Sequence, residues 1–248
     1  MDSVRHTFDV ELEKLDGTVL RMGEFVASML HDAMDALVRQ DEALARNVRD
    51  RDEVANQLDD EIEQSAMRLL ALQQPVASDL RRVASVLKAT TDLERVGDYA
   101  SDIAQCAMRL AGDPYFAPLE DIPEMGRIVE GMIRDALKTY VTRDVVFGKS
   151  VRDRDKEVDR IYKRVYSQLL EWMEREPRVV HQASEMMFVA RYLERLGDHT
   201  KNIIERIAYA ETGSLRPWRT EEWKREHGAP PTEPGPEETP EEQVDHEE

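Results

Sequence analysis

The amino-acid sequence predicts an all-α protein made of two tandem antiparallel three-helix bundles related by internal duplication. Three observations predict this fold: apolar residues recur every three or four positions, the pattern occurs twice, and prolines and glycines separate its segments. Charged residues make up 35% of the 248 residues, and no segment alternates between apolar and polar residues as a half-buried strand would.

Three apolar stripes at helical spacing fill the first half of the chain. They span residues 8–37, 55–72 and 83–107, and each places apolar side chains on one face of a helix. Pro75 disfavours continuation of the second helix, and Pro114 follows the third. Because short turns make successive helices neighbours, hairpinned bundles are expected rather than one long coiled coil.

The second half of the chain repeats the first. At a shift of 103 positions, residues 48–52 and 151–155 are identical, with the sequence Val-Arg-Asp-Arg-Asp. At a shift of 100, residues 93–98 (Leu-Glu-Arg-Val-Gly-Asp) match residues 193–198 (Leu-Glu-Arg-Leu-Gly-Asp). A match that keeps its register over two helices and returns in the third indicates a duplication.

The duplication divides the chain into four parts. We assign residues 1–112 to a first three-helix repeat, 113–121 to a linker, 122–211 to a second three-helix repeat, and 212–248 to a charged C-terminal extension. Prolines and glycines between the stripes mark these boundaries.

The C-terminal extension has two distinct compositions. Residues 216–227 contain Trp218 and Trp223 among charged residues, which fits either a short helix docked on the bundle or an unstructured linker. Residues 229–248 are rich in proline and hold eight acidic residues without lysine or arginine. Such a segment cannot bury enough apolar surface to offset its ordering entropy, so we predict a disordered acidic tail.

Composition excludes several classes of protein. The formal net charge of −18 disfavours nucleic-acid binding, because a phosphate backbone would be repelled. The longest apolar run, residues 186–190, is too short to cross a bilayer, so no membrane insertion is expected. A single cysteine, Cys106, excludes an intramolecular disulfide. With no signal peptide at the start, the expected location is the cytoplasm.

Acidic residues recur at matching positions in both repeats. The pairs are four residues apart and therefore share one helical face: Glu94 and Asp98, Glu194 and Asp198, and Asp155 and Asp159. Where the second repeat has the last of these pairs, the first has Asp52 and Asn56. Oxygen-only ligands select hard cations, so these pairs are candidate sites for iron, manganese or magnesium.

Ordinary solvated helix faces are the structural alternative, because a chain with 52 acids has many such pairs. Arg95 and Arg195 are the candidate ion-pair partners if no metal binds. Gly97 and Gly197 each cost about 1 kcal/mol relative to alanine within a helix, which predicts a close approach by another helix at these points.

No catalytic constellation is found in the sequence, and no catalytic residue is assigned. His199 follows Asp198 but points about 100° away from it on a helix, so a surface histidine is predicted. The histidine ligands of ferritin-like di-iron bundles are missing. A di-metal carboxylate oxidoreductase of that type and a metal-free structural helical scaffold are the two function classes kept open at this point.

The duplicated unit with Leu-Glu-Arg-x-Gly-Asp in each third helix, and with Asp155 and Asp159 in the second repeat, resembles the PhoU family over residues 4–210. The resemblance implies a homodimeric, non-enzymatic negative regulator of phosphate uptake and phosphate-starvation signalling. It also implies contacts with the ATPase subunit of a phosphate importer and with a sensor histidine kinase.

The resemblance further implies metal ions bound by acidic motifs on the bundle surface. Carried over position by position, the metal ligands are Glu94, Asp98, Asp155, Asp159, Glu194 and Asp198. Asn56 departs from the acidic pattern, so two unequal sites are expected, with the weaker one in the first repeat.

Overall fold

A computed structural model describes residues 2–117 and 120–219, with side chains from residue 6 onward, and all regular structure in these residues is helical. The α-helices are α1 (Asp2–Arg39), α2 (Glu42–Asp50), α3 (Asp52–Gln73), α4 (Ala77–Leu110), α5 (Asp121–Thr142), α6 (Val145–Arg152), α7 (Asp155–Arg175) and α8 (Val180–Thr212). The predicted all-α fold is confirmed. Each repeat contains its three predicted long helices and a short additional one, α2 or α6, which the apolar pattern did not separate.

An aspartate cap at the same place in each repeat starts the short helix. Asp41 accepts a hydrogen bond from the backbone N–H of Leu44 at 3.0 Å, and Asp144 accepts one from Phe147 at 2.9 Å. In each case the aspartate accepts from the backbone N–H three residues later, which has no hydrogen-bond acceptor within the helix. The capping aspartate therefore marks the point where the short helix begins as an element separate from the first long helix.

The corner between the short helix and the second long helix is held by an ion pair that also repeats. Arg51 contacts Asp32 of α1 at 2.5 Å, and the equivalent Arg154 contacts Asp135 of α5 at 2.7 Å. Each arginine directly precedes the second long helix: Arg51 alone separates α2 from α3, and Arg154 follows Asp153 between α6 and α7. The duplicated string of charges at residues 48–52 and 151–155 thus has a structural role at this corner.

One hydrophobic core runs through both repeats, with α4 and α8 packed against each other at its centre. Most side chains of the predicted stripes are buried, including Met22, Met29, Met125 and Met132, but Leu72 at the end of the second stripe is exposed. In the first repeat, α1 and α3 cover α4, and in the second, α5 and α7 cover α8. The methionines of the stripes therefore fill the core, as their spacing predicted.

The contact between the repeats is reciprocal, as expected for two copies related by a two-fold axis. Gly23 of α1 faces Leu137 of α5, and its equivalent Gly126 faces Met34, the equivalent of Leu137. A Cβ on Gly23 would lie 2.2 Å from Leu137 Cδ2, and one on Gly126 would lie 2.8 Å from Met34 Cε. Each glycine thus leaves room for a large side chain from the other repeat.

A partly buried polar network also joins the repeats. The hydroxyl of Tyr140 on α5 donates to Asp16 on α1 at 2.5 Å, and Arg82 on α4 forms an ion pair with the same carboxylate. Arg143 approaches it at 3.6 Å. Burial, together with the nearby Asp16 carboxylate, raises the pKa of Tyr140, so the phenol stays protonated and donates.

The segment after α8 docks on the second repeat. Trp218 lies in a single 3₁₀ turn, Pro217–Arg219, is buried, and donates from Nε1 to the carbonyl oxygen of Val145 at 3.3 Å. Of the two alternatives for residues 216–227, a docked helix or an unstructured linker, the structure shows a docked 3₁₀ turn up to Arg219. Trp223 and the predicted acidic tail lie outside the described residues.

Substituting Gly23 with alanine should destabilise the contact between the repeats. The new methyl group overlaps Leu137, and overpacking of this kind costs roughly 1–3 kcal/mol, against a gain of about 1 kcal/mol in helix propensity. Gly17 on the same helix has open space around it, so Gly17→Ala is the matched control and should stabilise the protein. Urea unfolding of both variants measures the difference, and equal effects would contradict the predicted overlap.

Candidate functional site

The structure places the six sequence-predicted acids in two groups, one in each repeat. Glu94 and Asp98 lie on α4 beside the start of α3, and Glu194 and Asp198 lie on α8 beside the start of α7. The first residue of α3 is Asp52, and its equivalent Asp155 is the first residue of α7. Each group therefore contains acids from two helices that pack side by side.

The motif glycines allow this close packing, as predicted. A Cβ on Gly97 would lie 3.3 Å from Val26 Cγ1 and 3.4 Å from Ala55 Cβ. A Cβ on Gly197 would lie 3.0 Å from Asp155 Oδ1. Gly197 therefore lets the Asp155 carboxylate contact the backbone of α8 directly, whereas Gly97 faces apolar side chains.

In the second repeat, cationic side chains neutralise most of the acidic group. Lys201 Nζ donates to Asp155 Oδ2 at 2.5 Å and to Asp198 Oδ1 at 2.7 Å. Arg191 donates to Glu194 at 3.0 Å, and Arg195 lies 3.7 Å from both Glu194 and Asp198. The ion-pair partner expected from the sequence, Arg195, is present, but Lys201 makes the shorter contacts.

Asp155 is the most deeply buried acid of either group, with 5% of its surface exposed. Burial raises the pKa of this carboxyl, the hydrogen bond and charge of Lys201 oppose the rise, and Asp159 and Asp198 add to it. Burial works to lower the pKa of Lys201, but hydrogen bonds to Asp155 and Asp198 raise it above its ordinary value. The ammonium group therefore stays charged between the two carboxylates.

In the first repeat, fewer cations accompany the acids. Arg95 contacts Asp98 at 2.8 Å and Glu94 at 3.5 Å, and it is the only cation within ion-pair distance of these two acids in the described part of the chain. One carboxylate oxygen of Asp52, Oδ1, is buried and accepts no hydrogen bond from any described residue. Oδ1 of the equivalent Asp155 is unsatisfied by the described residues as well, so the two groups differ in their cations rather than in this oxygen atom.

Two further acids, Asp59 and Asp102, belong to the first group, although neither was among the predicted metal ligands. Asp102 follows Asp98 by four residues on α4, so the same spacing rule that found the other pairs could have found it. Desolvation, followed by repulsion from neighbouring carboxylates, raises the pKa of each acid in this set: Asp52, Asp59, Glu94 and Asp102. Asp98 is the shared neighbour of three of them.

His199 does not join either acidic group. Its Nδ1 lies 2.8 Å from Asp92 Oδ1 across the α4–α8 contact, and its ring packs near Tyr99. With 22% of its side chain exposed, it is half-buried between the repeats, so the prediction of a surface histidine is wrong. Helical spacing predicted the direction of the side chain but not the neighbouring helix that covers it.

Among the described side chains, no three His, Cys, Asp or Glu groups converge in the arrangement of a preassembled metal centre. The first-repeat acids nevertheless offer an all-oxygen donor set with one buried, unsatisfied carboxylate oxygen, and this fits a hard divalent cation. A cation bound there would have to compete with Arg95 for Asp98.

None of the described helices is both long and apolar enough to span a membrane.

The chain matches the family model for the PhoU domain twice, at residues 19–107 and 122–207. It is 40% identical over 210 residues to the phosphate-specific transport system accessory protein PhoU homolog of Clostridium acetobutylicum, covering 84% of this chain and 96% of that protein. The homolog from Caulobacter vibrioides, with the same protein name, is 40% identical over 208 residues, covering 84% of this chain and 90% of that protein.

Solved structures show the same similarity. The crystal structure of PhoU from Pseudomonas aeruginosa superposes with a TM-score of 0.81 at 36% identity, covering 84% of this chain and 100% of that one. The phosphate transport system regulatory protein PhoU from Streptococcus pneumoniae gives a TM-score of 0.79 at 30% identity, covering 84% of this chain and 98% of that one. The two matched repeats, the sequence identity and the shared fold together establish that this chain belongs to the PhoU family.

Proposed function

We propose that this protein is an accessory regulator of a phosphate transport system and acts by binding partners rather than by catalysis. The observation that carries the proposal is its 40% identity, over nearly the full length of the relative, to a protein named as such an accessory factor. In this role it restrains phosphate uptake and phosphate-starvation signalling in the cytoplasm. The expected partners are the importer's ATPase subunit and a sensor histidine kinase, and the expected oligomer is a homodimer.

A row of aromatic side chains on α8 and α4, of which Phe188 is exposed and Tyr192 and Tyr99 are partly buried, is a candidate surface for such partners. Phe188 is 52% exposed, and its ring lies 6.4 Å from that of Tyr192, which in turn lies 5.7 Å from Tyr99 of α4. Large exposed aromatic groups of this kind are enriched where proteins associate. The row of rings at Phe188, Tyr192 and Tyr99 is therefore our candidate surface for the ATPase subunit.

Replacing Phe188 with serine should weaken capture of the ATPase subunit of the cognate importer by about tenfold or more, as expected for an interface anchor. The measurement is a pull-down with the purified full-length chain, followed by phosphate uptake in cells that carry the variant. Val141→Ser on α5 is the control, because Val141 is 61% exposed and lies on another helix. Equal capture by both variants would exclude the aromatic row, and no capture by the unsubstituted chain would contradict the adaptor role.

The second part of the proposal is that the first-repeat acids hold a hard divalent cation. Asp52, Glu94, Asp98 and Asp102 are the candidate ligands, because Asp98 is close enough to raise the pKa of the other three and only Glu94 and Asp98 form an ion pair with Arg95. A bound cation would supply positive charge at a strongly negative surface, where an anion such as phosphate would otherwise be repelled. Lys201 already balances the acids of the second repeat, which favours the first repeat as the stronger site, the reverse of the order expected from Asn56.

Metal analysis tests this assignment. Asp52→Asn and Asp98→Asn should each reduce Mn²⁺ binding at least tenfold in titration calorimetry, because each removes a charged oxygen ligand. Asp60→Asn is the control, since Asp60 is exposed on the same helix as Asp52. Unchanged Mn²⁺ affinity in both site variants would show that these acids are a solvated face.

The raised pKa values predict a pH-dependent effect on stability in metal-free buffer. A carboxyl whose pKa is higher in the folded than in the unfolded state destabilises the fold when it is ionised, and this cost disappears as the pH falls below both values. Asp102→Asn, which introduces the residue found at the equivalent position 202, should therefore raise Tm at pH 7 by about 1–3 °C, after allowance for solvent screening.

The same variant should show no gain near pH 3, where the aspartate is protonated in both states. Thermal unfolding by circular dichroism at the two pH values measures the difference. Glu24→Gln on the exposed side of α1 is the control for loss of one negative charge. A gain that is independent of pH would show that charge repulsion is not its cause.

A further inference from the structure

The two acidic groups differ at one position that the repeat alignment makes directly comparable. Lys201 lies three residues after Asp198 on α8, and the equivalent residue three positions after Asp98 on α4 is Ser101. The side chain of Lys201 joins the two helices of its repeat, since its contacts at 2.5 and 2.7 Å reach Asp155 on α7 and Asp198 on α8. A serine is too short to span the equivalent distance.

The position of the lysine ammonium is the one that a bound cation would take. It lies between two carboxylates from different helices, one of them on Asp155, which has 5% of its surface exposed. A buried carboxylate is strongly destabilising unless a positive charge accompanies it. In the first repeat, Asp52 occupies the equivalent place, and its buried Oδ1 accepts no hydrogen bond from any described residue.

We infer that Lys201 is an internal cation that fills the second-repeat site and so restricts metal binding in this chain to the first repeat. The inference rests on the proposed metal site and identifies the residue that makes the two repeats unequal. An incoming divalent ion at the second repeat would have to displace an ammonium group that is attached to the chain. It would also meet the positive charges of Arg191 and Arg195 beside Glu194.

The remaining oxygen atoms of the second group are consistent with this role. Asp155 Oδ2 accepts from Lys201, while Oδ1 faces the surface of α8 at Gly197 and accepts no hydrogen bond from a described residue. The carboxylate therefore has one oxygen in use and one free. Removing the ammonium group should leave an oxygen-lined site open to a cation, in the same arrangement as at Asp52.

The test exchanges the two residues in the full-length chain. Lys201→Ser should add a second Mn²⁺ equivalent in titration calorimetry, and the further change Asp155→Asn in that background should remove it. The reciprocal change, Ser101→Lys, should reduce binding at the first repeat by at least tenfold. Lys163→Ser, an exposed lysine on α7, controls for the loss of one positive charge and should leave the stoichiometry unchanged.

Thermal unfolding gives a second readout that does not depend on stoichiometry. Lys201→Ser should lower Tm in metal-free buffer, because it leaves Asp155 without its cation, and millimolar Mn²⁺ should restore Tm in this variant but not in Lys163→Ser. A Lys201→Ser variant that binds the same amount of Mn²⁺ as the unsubstituted chain and gains no stability from it would overturn the inference.

The outcomes also separate this inference from the proposed first-repeat site. If the unsubstituted chain binds one Mn²⁺ and Lys201→Ser adds none, the inference fails and the first-repeat site stands. If the unsubstituted chain binds none while Lys201→Ser binds one, Lys201 fills the second-repeat site as inferred, but the first-repeat site is wrong. Binding by neither protein contradicts both.

Discussion

The packing of α4 against α8 is the constraint on which the rest of the structure depends. These two helices carry the repeated motif and meet at the centre of a single core that spans both repeats. Because each also packs against the second long helix of its own repeat, a motif glycine must lie at that contact to let the helices approach. The approach brings Asp52 beside the Asp98 motif and Asp155 beside the Asp198 motif.

This close approach buries carboxylates and brings them near one another, which is electrostatically unfavourable. The two repeats differ in how this cost is offset. In the second repeat, Lys201 reaches across the helix pair and neutralises the buried Asp155. Burial raises carboxyl pKa values in both repeats, but in the first no described lysine bridges the two helices, and repulsion from Asp98 adds to the rise at Asp52 and Asp102. Like charges held together without a balancing cation store free energy that any bound cation recovers. The unbalanced group is therefore the one suited to respond to a ligand.

The sequence contains enough information for the helices and the duplication, because both depend on local spacing. The apolar stripes predicted which faces are buried, and the motif glycines predicted a close helix approach. Contacts between helices depend instead on how each helix is rotated and shifted against the next. For that reason spacing alone did not predict the lysine bridge of Lys201 or the burial of His199 against Asp92.

Asn56 shows why the ranking of the two acidic groups was also difficult to predict. Counting carboxylates along one helix made the first repeat look weaker, since Asn56 replaces the acid found at Asp159. When all charged side chains near each group are included, the order reverses. Lys201 adds a positive charge to the second group, whereas Asp102 adds a negative charge to the first. Net local charge, rather than the number of acids in a motif, determines whether a site attracts a cation.

The same electrostatics limits how phosphate status can reach this protein. A chain with a formal net charge of −18 repels free phosphate from most of its surface, and the acidic groups repel it most strongly. In the proposed regulator, an anion can therefore act on this surface only together with a bound cation, or through a partner that carries the phosphate signal. Because Lys201 shares its charge with Asp155 and Asp198, it leaves little positive potential for an anion. The first repeat has Ser101 in place of that lysine, so in our proposal the cation site, and with it any response to an anion, would lie on α3 and α4.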